Sequence, residues 1–268
     1  MTREPFNIPI DGKLVMLGTG TSVGVPMVGC GCHVCRSIDR RNHRTRCAII
    51  LGLPGGNLLI DTPPDLHWQL VREQIGIVNA VVYTHEHADH IFGLDDLRLM
   101  PFYLGHAVPL YCEELVEARI RKSYDYAFTN IKHTHAGAVP ALTFHRIDGA
   151  TPFDVLETRL TPIPLQHGPR FNVLGFRIHN VAYCTDVNHI PTNSWGLLEG
   201  LDVLILGALR REPHPTHFCL EEAVAVAKKV GAKRTIFTHI SHDLEYTQTN
   251  AELPDAMELG YDGLRIDL

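Results

Sequence analysis

Tyr83-Thr84-His85-Glu86-His87-Ala88-Asp89-His90 sets three histidines and an aspartate within six residues, directly after the apolar run Val78-Asn79-Ala80-Val81-Val82. Imidazole nitrogen and carboxylate oxygen are the ligands of zinc and similar borderline divalent ions. Burying so many of them without a cation is costly. If the strand stops at His85, then His85, His87, Asp89 and His90 fall in the turn beyond it, where alternation no longer sends them to opposite faces. Two metals, not one, fit that supply.

Three later segments end apolar runs in the same residue types. Pro162-Ile163-Pro164-Leu165-Gln166-His167-Gly168 ends in a histidine, Val181-Ala182-Tyr183-Cys184-Thr185-Asp186 in an aspartate, and Thr235-Ile236-Phe237-Thr238-His239 in a histidine. Each alone reads as a loop, core or capping residue. With the H-x-H-x-D-H string in front of them, they resemble the signature of the metallo-β-lactamase superfamily. That resemblance implies an α+β fold, a four-layer αββα sandwich of two mixed sheets with helices outside. It implies His85, His87 and His167 as ligands of a first metal, Asp89, His90 and His239 as ligands of a second, and Asp186 as the bridge. Asp61, after Leu58-Leu59-Ile60, matches the early aspartate that supports a ligand histidine. The family's glycine-rich sequel is replaced by Thr62-Pro63-Pro64-Asp65, and Asp65 receives no role.

The 268 residues, 45% of them hydrophobic, can bury a sizeable core. We expect one hydrolase domain over 1–268, with a cysteine-rich loop at 29–47 and a substrate-side insertion at about 100–150. A formal charge of -6 gives no electrostatic case for general nucleic-acid affinity. Seventeen histidines again point to metal. The seven cysteines are odd in number and no N-terminal apolar segment resembles a signal peptide, so we expect a reducing, cytoplasmic setting in which thiols bind metal or pack. No stretch approaches the ~20 apolar residues that span a bilayer. A homodimer is left open.

Strands are expected at 13–17, on both sides of Pro54-Gly55-Gly56, at 108–112 and 142–147, over an unbroken 154–164, and at 172–179, 181–185, 202–207 and 234–238. Helices are expected at 65–74, from 94 to a stop or kink at Pro101, at 113–124 and at 218–230, with a loop carrying His133 and His135 between. Thr84-His85-Glu86-His87 and Thr238-His239-Ile240-Ser241-His242 echo each other faintly, as if two similar halves fed one cleft.

Two cations held roughly 3.5–4 Å apart acidify a shared water into the nucleophile, so hydrolysis is the default chemistry. Arg210-Arg211-Glu212-Pro213-His214-Pro215-Thr216-His217 lies 22 positions before His239. Phosphodiesterase branches of the superfamily carry a histidine similarly placed near the leaving oxygen, which makes His217 the general-acid candidate. Gly29-Cys30-Gly31-Cys32-His33-Val34-Cys35 offers three thiols at the spacing of a structural zinc, with His33, His43, Cys47 or His242 as the fourth ligand.

Gly18-Thr19-Gly20-Thr21-Ser22, the cysteine loop, H-x-H-x-D-H, Pro-Thr-His and Thr-His-Ile-Ser-His together resemble the phosphoribosyl cyclic phosphate phosphodiesterases of the carbon–phosphorus lyase pathway. The match covers most of the chain except 100–150. It implies a structural zinc on Cys30, Cys32, Cys35 and His242, two active-site cations (Zn or Mn), and a small cyclic or nucleotide-like diester as substrate. Arg210, Arg211 and Lys122 are candidates for phosphate contact, and Tyr124, Tyr126 and Phe128 for a pocket lining. Alternatives are a thioester or other carbon-centred ester hydrolase and a tRNA-processing nuclease, although the basic, glycine-rich arm of such nucleases is not seen.

Overall fold

The computed structural model describes residues 5–129, 135 and 137–268. His133 lies outside them. In chain order the strands are β1 (Lys13–Gly18), β2 (Ala48–Leu53), β3 (Gly56–Ile60), β4 (Ala80–Val82), β5 (Val108–Cys112), β6 (Leu142–Arg146) and β7 (Phe153–Val155). They continue as β8 (Thr158–His167), β9 (Phe171–Ile178), β10 (Val181–Cys184), β11 (Val203–Gly207), β12 (Arg234–Thr238), β13 (Met257–Leu259) and β14 (Arg265–Asp267). The helices are α1 (Leu66–Glu73), α2 (Ala88–Ile91), α3 (Met100–Leu104), α4 (Glu114–Ser123), α5 (Leu220–Val230) and α6 (Tyr246–Glu252).

Two mixed sheets of seven strands result, ordered β14-β1-β2-β3-β4-β5-β6 and β13-β12-β11-β10-β9-β8-β7. From β3 to β6 and from β10 to β13 neighbouring strands run parallel, while the other pairings are antiparallel. The period of two decides the layers. On β1, Leu14 and Met16 face Phe176, Tyr183, Ile205 and Ile236 of the other sheet, whereas Val15 and Leu17 face outward to Leu66 and Leu70 of α1. Val116 and Ile120 of α4 cover the same outer face. On the second sheet, Leu204, Leu206 and Phe237 face Leu220, Ala223 and Ala227 of α5. These are three apolar layers between four of structure, and each fully buried Phe or Ile contributes about 1.5–3 kcal/mol. The fold is the αββα sandwich.

Several local expectations give way. Pro101 does not stop a helix: Leu94–Leu99 is a 3-10 turn and Pro101 opens α3, where its missing N–H costs nothing. The strand over 154–164 is broken by a hairpin at Leu156 and Glu157, with φ of 48° and 60°. The 100–150 segment supplies β5 and β6, the edge of the first sheet, and α4 on its face. The helix expected from 218 begins at Leu220, so His217 precedes it in irregular chain. No helix among the described residues is long and apolar enough to cross a membrane.

Candidate metal centre

The histidine string leaves β4 at Val82, earlier than His85, and Asp89 and His90 sit on the short α2, with His87 at its N-cap. His167 ends β8, while Asp186 and His239 lie just beyond β10 and β12. The two echoing segments thus leave different sheets and meet at one end of the sandwich. Asp61, Asp186 and His239 follow their strands with φ of 67°, 49° and 57°, a left-handed backbone that non-glycine residues seldom adopt. Such strain costs of order 1–3 kcal/mol per residue and collects at functional sites.

His85, His87 and His167 bring one ligand atom each to within 4.8 Å of one another, and so do Asp89, His90, Asp186 and His239. Asp186 lies between the two groups. Its Oδ1 is 3.3 Å from His90 Nε2, and its Oδ2 is 3.3 Å from His239 Nε2, 3.9 Å from His167 Nε2 and 4.0 Å from His85 Nε2. Asp89 Oδ2 is 3.4 Å from His90 Nε2 and 3.9 Å from His239 Nε2.

Hydrogen bonds fix which nitrogen each ring presents. Asp61, fully buried, accepts from Thr84 N at 2.9 Å, from Thr84 Oγ1 at 2.8 Å and from His90 Nδ1 at 2.7 Å. His90 therefore keeps a proton on Nδ1 and turns Nε2 to the cluster. Since the Thr84 hydroxyl proton goes to Asp61, its oxygen accepts from His85 Nδ1 at 3.0 Å, which turns the His85 Nε2 lone pair toward the cluster, where it lies 3.0 Å from His87 Nδ1. His167 Nδ1 donates to the Thr216 carbonyl at 2.7 Å, leaving its Nε2 open in the same way. Thr84 and Thr216 were not singled out from sequence, although both adjoin motif histidines. Gly168 (φ +72°) permits the contact with 215–216, because a Cβ there would come 2.6 Å from Thr216 Cγ2.

Charge is concentrated accordingly. Burial opposes ionisation of His90, yet Asp186, Asp89 and Asp61 outweigh it and raise its pKa well above the usual range. Burial and the His90 charge hold His85 well below. Burial would raise Asp186, but His239 and His90 overcome it and keep that carboxylate well below its ordinary range. His90 Nε2 and both ring nitrogens of His239 are buried without a hydrogen-bond partner. Imidazole nitrogens without a hydrogen-bond partner, gathered against two carboxylates, are what a divalent cation satisfies once it displaces the ring proton, so the donor set fits metal.

His217 stacks on His239 with centroids 4.5 Å apart and planes at 17°, and lies 4.5 Å from His167. Burial, then His239, pushes its imidazole down to about 2. It also groups with His167 and Asp186 as a third set of potential ligands. The neighbouring His214 is turned to Thr216 Oγ1, at 3.2 Å.

At the cysteine loop, Sγ of Cys30, Cys32 and Cys35 lie 3.2, 3.4 and 3.6 Å from His242 Nδ1. Of the four fourth-ligand options, His242 is the one that joins this group. Cys47 points elsewhere, to the Gly20 carbonyl and Thr238 Oγ1. The Cys32 thiol is lowered to about 6, first by the Cys35 N–H, whereas burial raises Cys35 to about 11. Buried Arg44, which sequence did not mark, donates to the Ser241 and Leu244 carbonyls at 2.8 and 2.7 Å and so brackets His242.

The residues considered for phosphate contact and pocket lining have the following surroundings. Arg210 holds the Glu212 and Pro213 carbonyls, Arg211 pairs with Glu252, and Lys122 is exposed on α4. The Tyr124 hydroxyl donates to the Ile91 carbonyl, Tyr126 bonds Asp95, and Phe128 packs on Phe144. Asp65, given no role, accepts from Arg46 N at 2.9 Å and pairs with its guanidinium at 3.0 Å.

Known proteins place this arrangement. The profile of the Beta-lactamase superfamily domain matches residues 56–240. A Porphyromonas gingivalis protein named octanoyltransferase is 36% identical over 255 residues, 94% of this chain, and the chain spans about half (51%) of that relative's length. The crystal structure of a diphosphatase from the PhnP family superposes with a TM-score of 0.88 at 41% identity, covering 96% of this chain and 97% of that one. Zn(2+)-bound PqqB from Methylobacterium extorquens shares the fold at 19% identity, with a TM-score of 0.77 over 96% of this chain and 100% of that one. With two seven-stranded sheets and a histidine–aspartate cluster at one end of them, the chain belongs to the metallo-β-lactamase superfamily of metal-dependent hydrolases, and it resembles the PhnP-family diphosphatase over nearly its whole length.

Proposed function

We propose that the protein is a phosphodiesterase acting on a small phosphate diester. The observation that carries this reading is the convergence of seven imidazole and carboxylate side chains from both sheets, with His217 stacked against their edge. In this reading His85, His87 and His167 hold one divalent cation, Asp89, His90 and His239 hold another, and Asp186 lies between them. When bound, the pair supplies Lewis acidity, lowering the pKa of a water and neutralising charge on the phosphoryl oxygens.

The chain's own groups do the rest. Asp61 locks the His90 ring and its tautomer, and Thr84 passes the same constraint to His85. The Thr216 carbonyl orients His167. His217, held neutral by burial, lies where an anionic diester would sit against it; that anion favours its protonation, and the proton then goes to the departing oxygen. A diester needs such a donor because an alkoxide is a poor leaving group. A thiolate leaving from a thioester does not, so His217 favours the diester over the carbon-centred alternative. The 41% identity to the PhnP-family diphosphatase supports the same side. Cys30, Cys32, Cys35 and His242 hold a separate structural zinc that ties the N-terminal loop to the chain three residues beyond His239.

The test is hydrolysis of bis-p-nitrophenyl phosphate by metal-free and by Zn- or Mn-loaded protein, beside nitrocefin and a glutathione thioester. Metal-dependent turnover of the diester above the other two is expected. Turnover of the thioester above the diester would reverse the assignment.

A further inference from the structure

Phe171, the first residue of β9, keeps 39% of its surface exposed although its ring lies edge-on to His87, with centroids 4.8 Å apart and planes at 75°. Beyond that ring opens a cavity of about 520 Å³ whose walls include Phe171, Asn172, Arg170, Leu115, Glu86 and Glu113. The volume lies within the ~300–1,000 Å³ of small-molecule sites. Because Glu86 stands between His85 and His87, the cavity borders the three-imidazole side of the metal centre.

Its charge is unbalanced. Arg170 is the single cation in the lining, against three carboxylates. Glu114 is taken by Arg146 at 2.7 Å. The side-chain carboxylates of Glu86 and Glu113 have no hydrogen-bond or ion-pair partner among the described residues. Burial, and then the facing Glu86 and Asp148, pushes the Glu113 carboxyl above its ordinary range.

We infer that this cavity receives one organic arm of the phosphodiester and that the arm is cationic, an alkylammonium group set over Phe171 and beside Glu113 and Glu86. A cation over a phenyl face is attracted by the ring quadrupole, and two unpaired carboxylates supply the counter-charge. A second phosphate on that arm meets the same carboxylates as repulsion. A neutral nucleobase leaves at least one of them uncompensated. The inference rests on the phosphodiesterase reading, and the test separates the two.

Choline chloride titrated calorimetrically into the metal-loaded protein, with no phosphate ester present, is expected to bind saturably. Glu113→Gln is expected to weaken it about tenfold, and Phe171→Leu about threefold. Glu113 makes no cap bond to α4, so its replacement leaves the helix start intact. In turnover, the ratio of kcat/KM for p-nitrophenyl phosphorylcholine to that for bis-p-nitrophenyl phosphate is expected to fall about tenfold in Glu113→Gln. Hydrolysis of both esters with no choline binding and an unchanged ratio overturns the subsite and leaves the phosphodiesterase standing. Choline binding without hydrolysis of either ester supports the subsite and overturns the phosphodiesterase. Preference for thymidine 5′-(p-nitrophenyl phosphate) over the choline ester overturns the cationic assignment.

Discussion

Replacing Asp61 by Asn changes one atom in a fully buried side chain, and the hydrogen bonds around that atom set the consequence. Asp61 accepts three bonds, from Thr84 N, Thr84 Oγ1 and His90 Nδ1. An asparagine has one oxygen, and the Thr84 backbone N–H cannot turn away, so the oxygen stays on the Oδ1 side. The amide nitrogen then faces His90 Nδ1–H, donor against donor. His90 escapes by giving up its Nδ1 proton and keeping one on Nε2, which blocks the nitrogen that faces Asp89 and Asp186 and would ligate a cation. Loss of such an orienting partner lowers metal affinity about 10–100-fold, or about 1.4–2.8 kcal/mol. The assay is competition against a chelator of known affinity, with residual metal counted by mass spectrometry. One ion of the cluster should leave the Asp61→Asn protein at a 10–100-fold lower chelator concentration, while the cysteine-site zinc, an internal control for folding, stays in place. Chelator midpoints equal to those of the wild type for every ion would show that Asp61 does not hold the His90 tautomer.

Other changes probe the acid, the cysteine site and the hairpin. His217→Ala should lower kcat about 10²–10⁴-fold on an alkyl diester, and much less on a p-nitrophenyl ester, with metal content unchanged; equal losses on both would show that His217 is not the acid. In protein stripped of zinc, iodoacetamide should label Cys32 ahead of Cys35, with a rate that climbs as pH rises through about 6, since only the thiolate reacts and the Cys35 thiol is pushed up to about 11. Peptide mapping reads this directly, and equal labelling of the two at pH 7 would contradict the geometry around His242. Glu157→Gly should raise Tm by about 2 °C, because it relieves a positive φ on an exposed residue, and a fall in Tm would show that the turn is not strained as described.

The histidine–aspartate cluster was legible from sequence because its residues are dense and chemically unusual. No apolar core explains His85, His87, Asp89 and His90 in six residues, and the later ligands sit where β-rich runs stop. What pairwise spacing did not reveal are the partners across the fold: Arg44 reaching Ser241 and Leu244, or Asp262 accepting from Thr19, Thr45 and Arg72. Those contacts span up to 243 positions. The Leu156–Glu157 hairpin was missed for a local reason. Two-residue turns of positive φ are announced by Asn-Gly or Gly, and neither stands here. The three-residue strands β13 and β14 are too short to show a period, and they exist because they complete sheets built by distant strands. The backbone and Glu252 partners of Arg210 and Arg211 are likewise invisible in sequence.

The two-metal centre itself is open to a direct check by anomalous X-ray diffraction from crystals of the zinc-loaded protein. Two peaks are expected among His85, His87, His167, Asp89, His90, His239 and Asp186, with Asp186 touching both, and a third between Cys30, Cys32, Cys35 and His242. One peak or none inside the histidine–aspartate cluster at full metal loading would contradict a two-metal site.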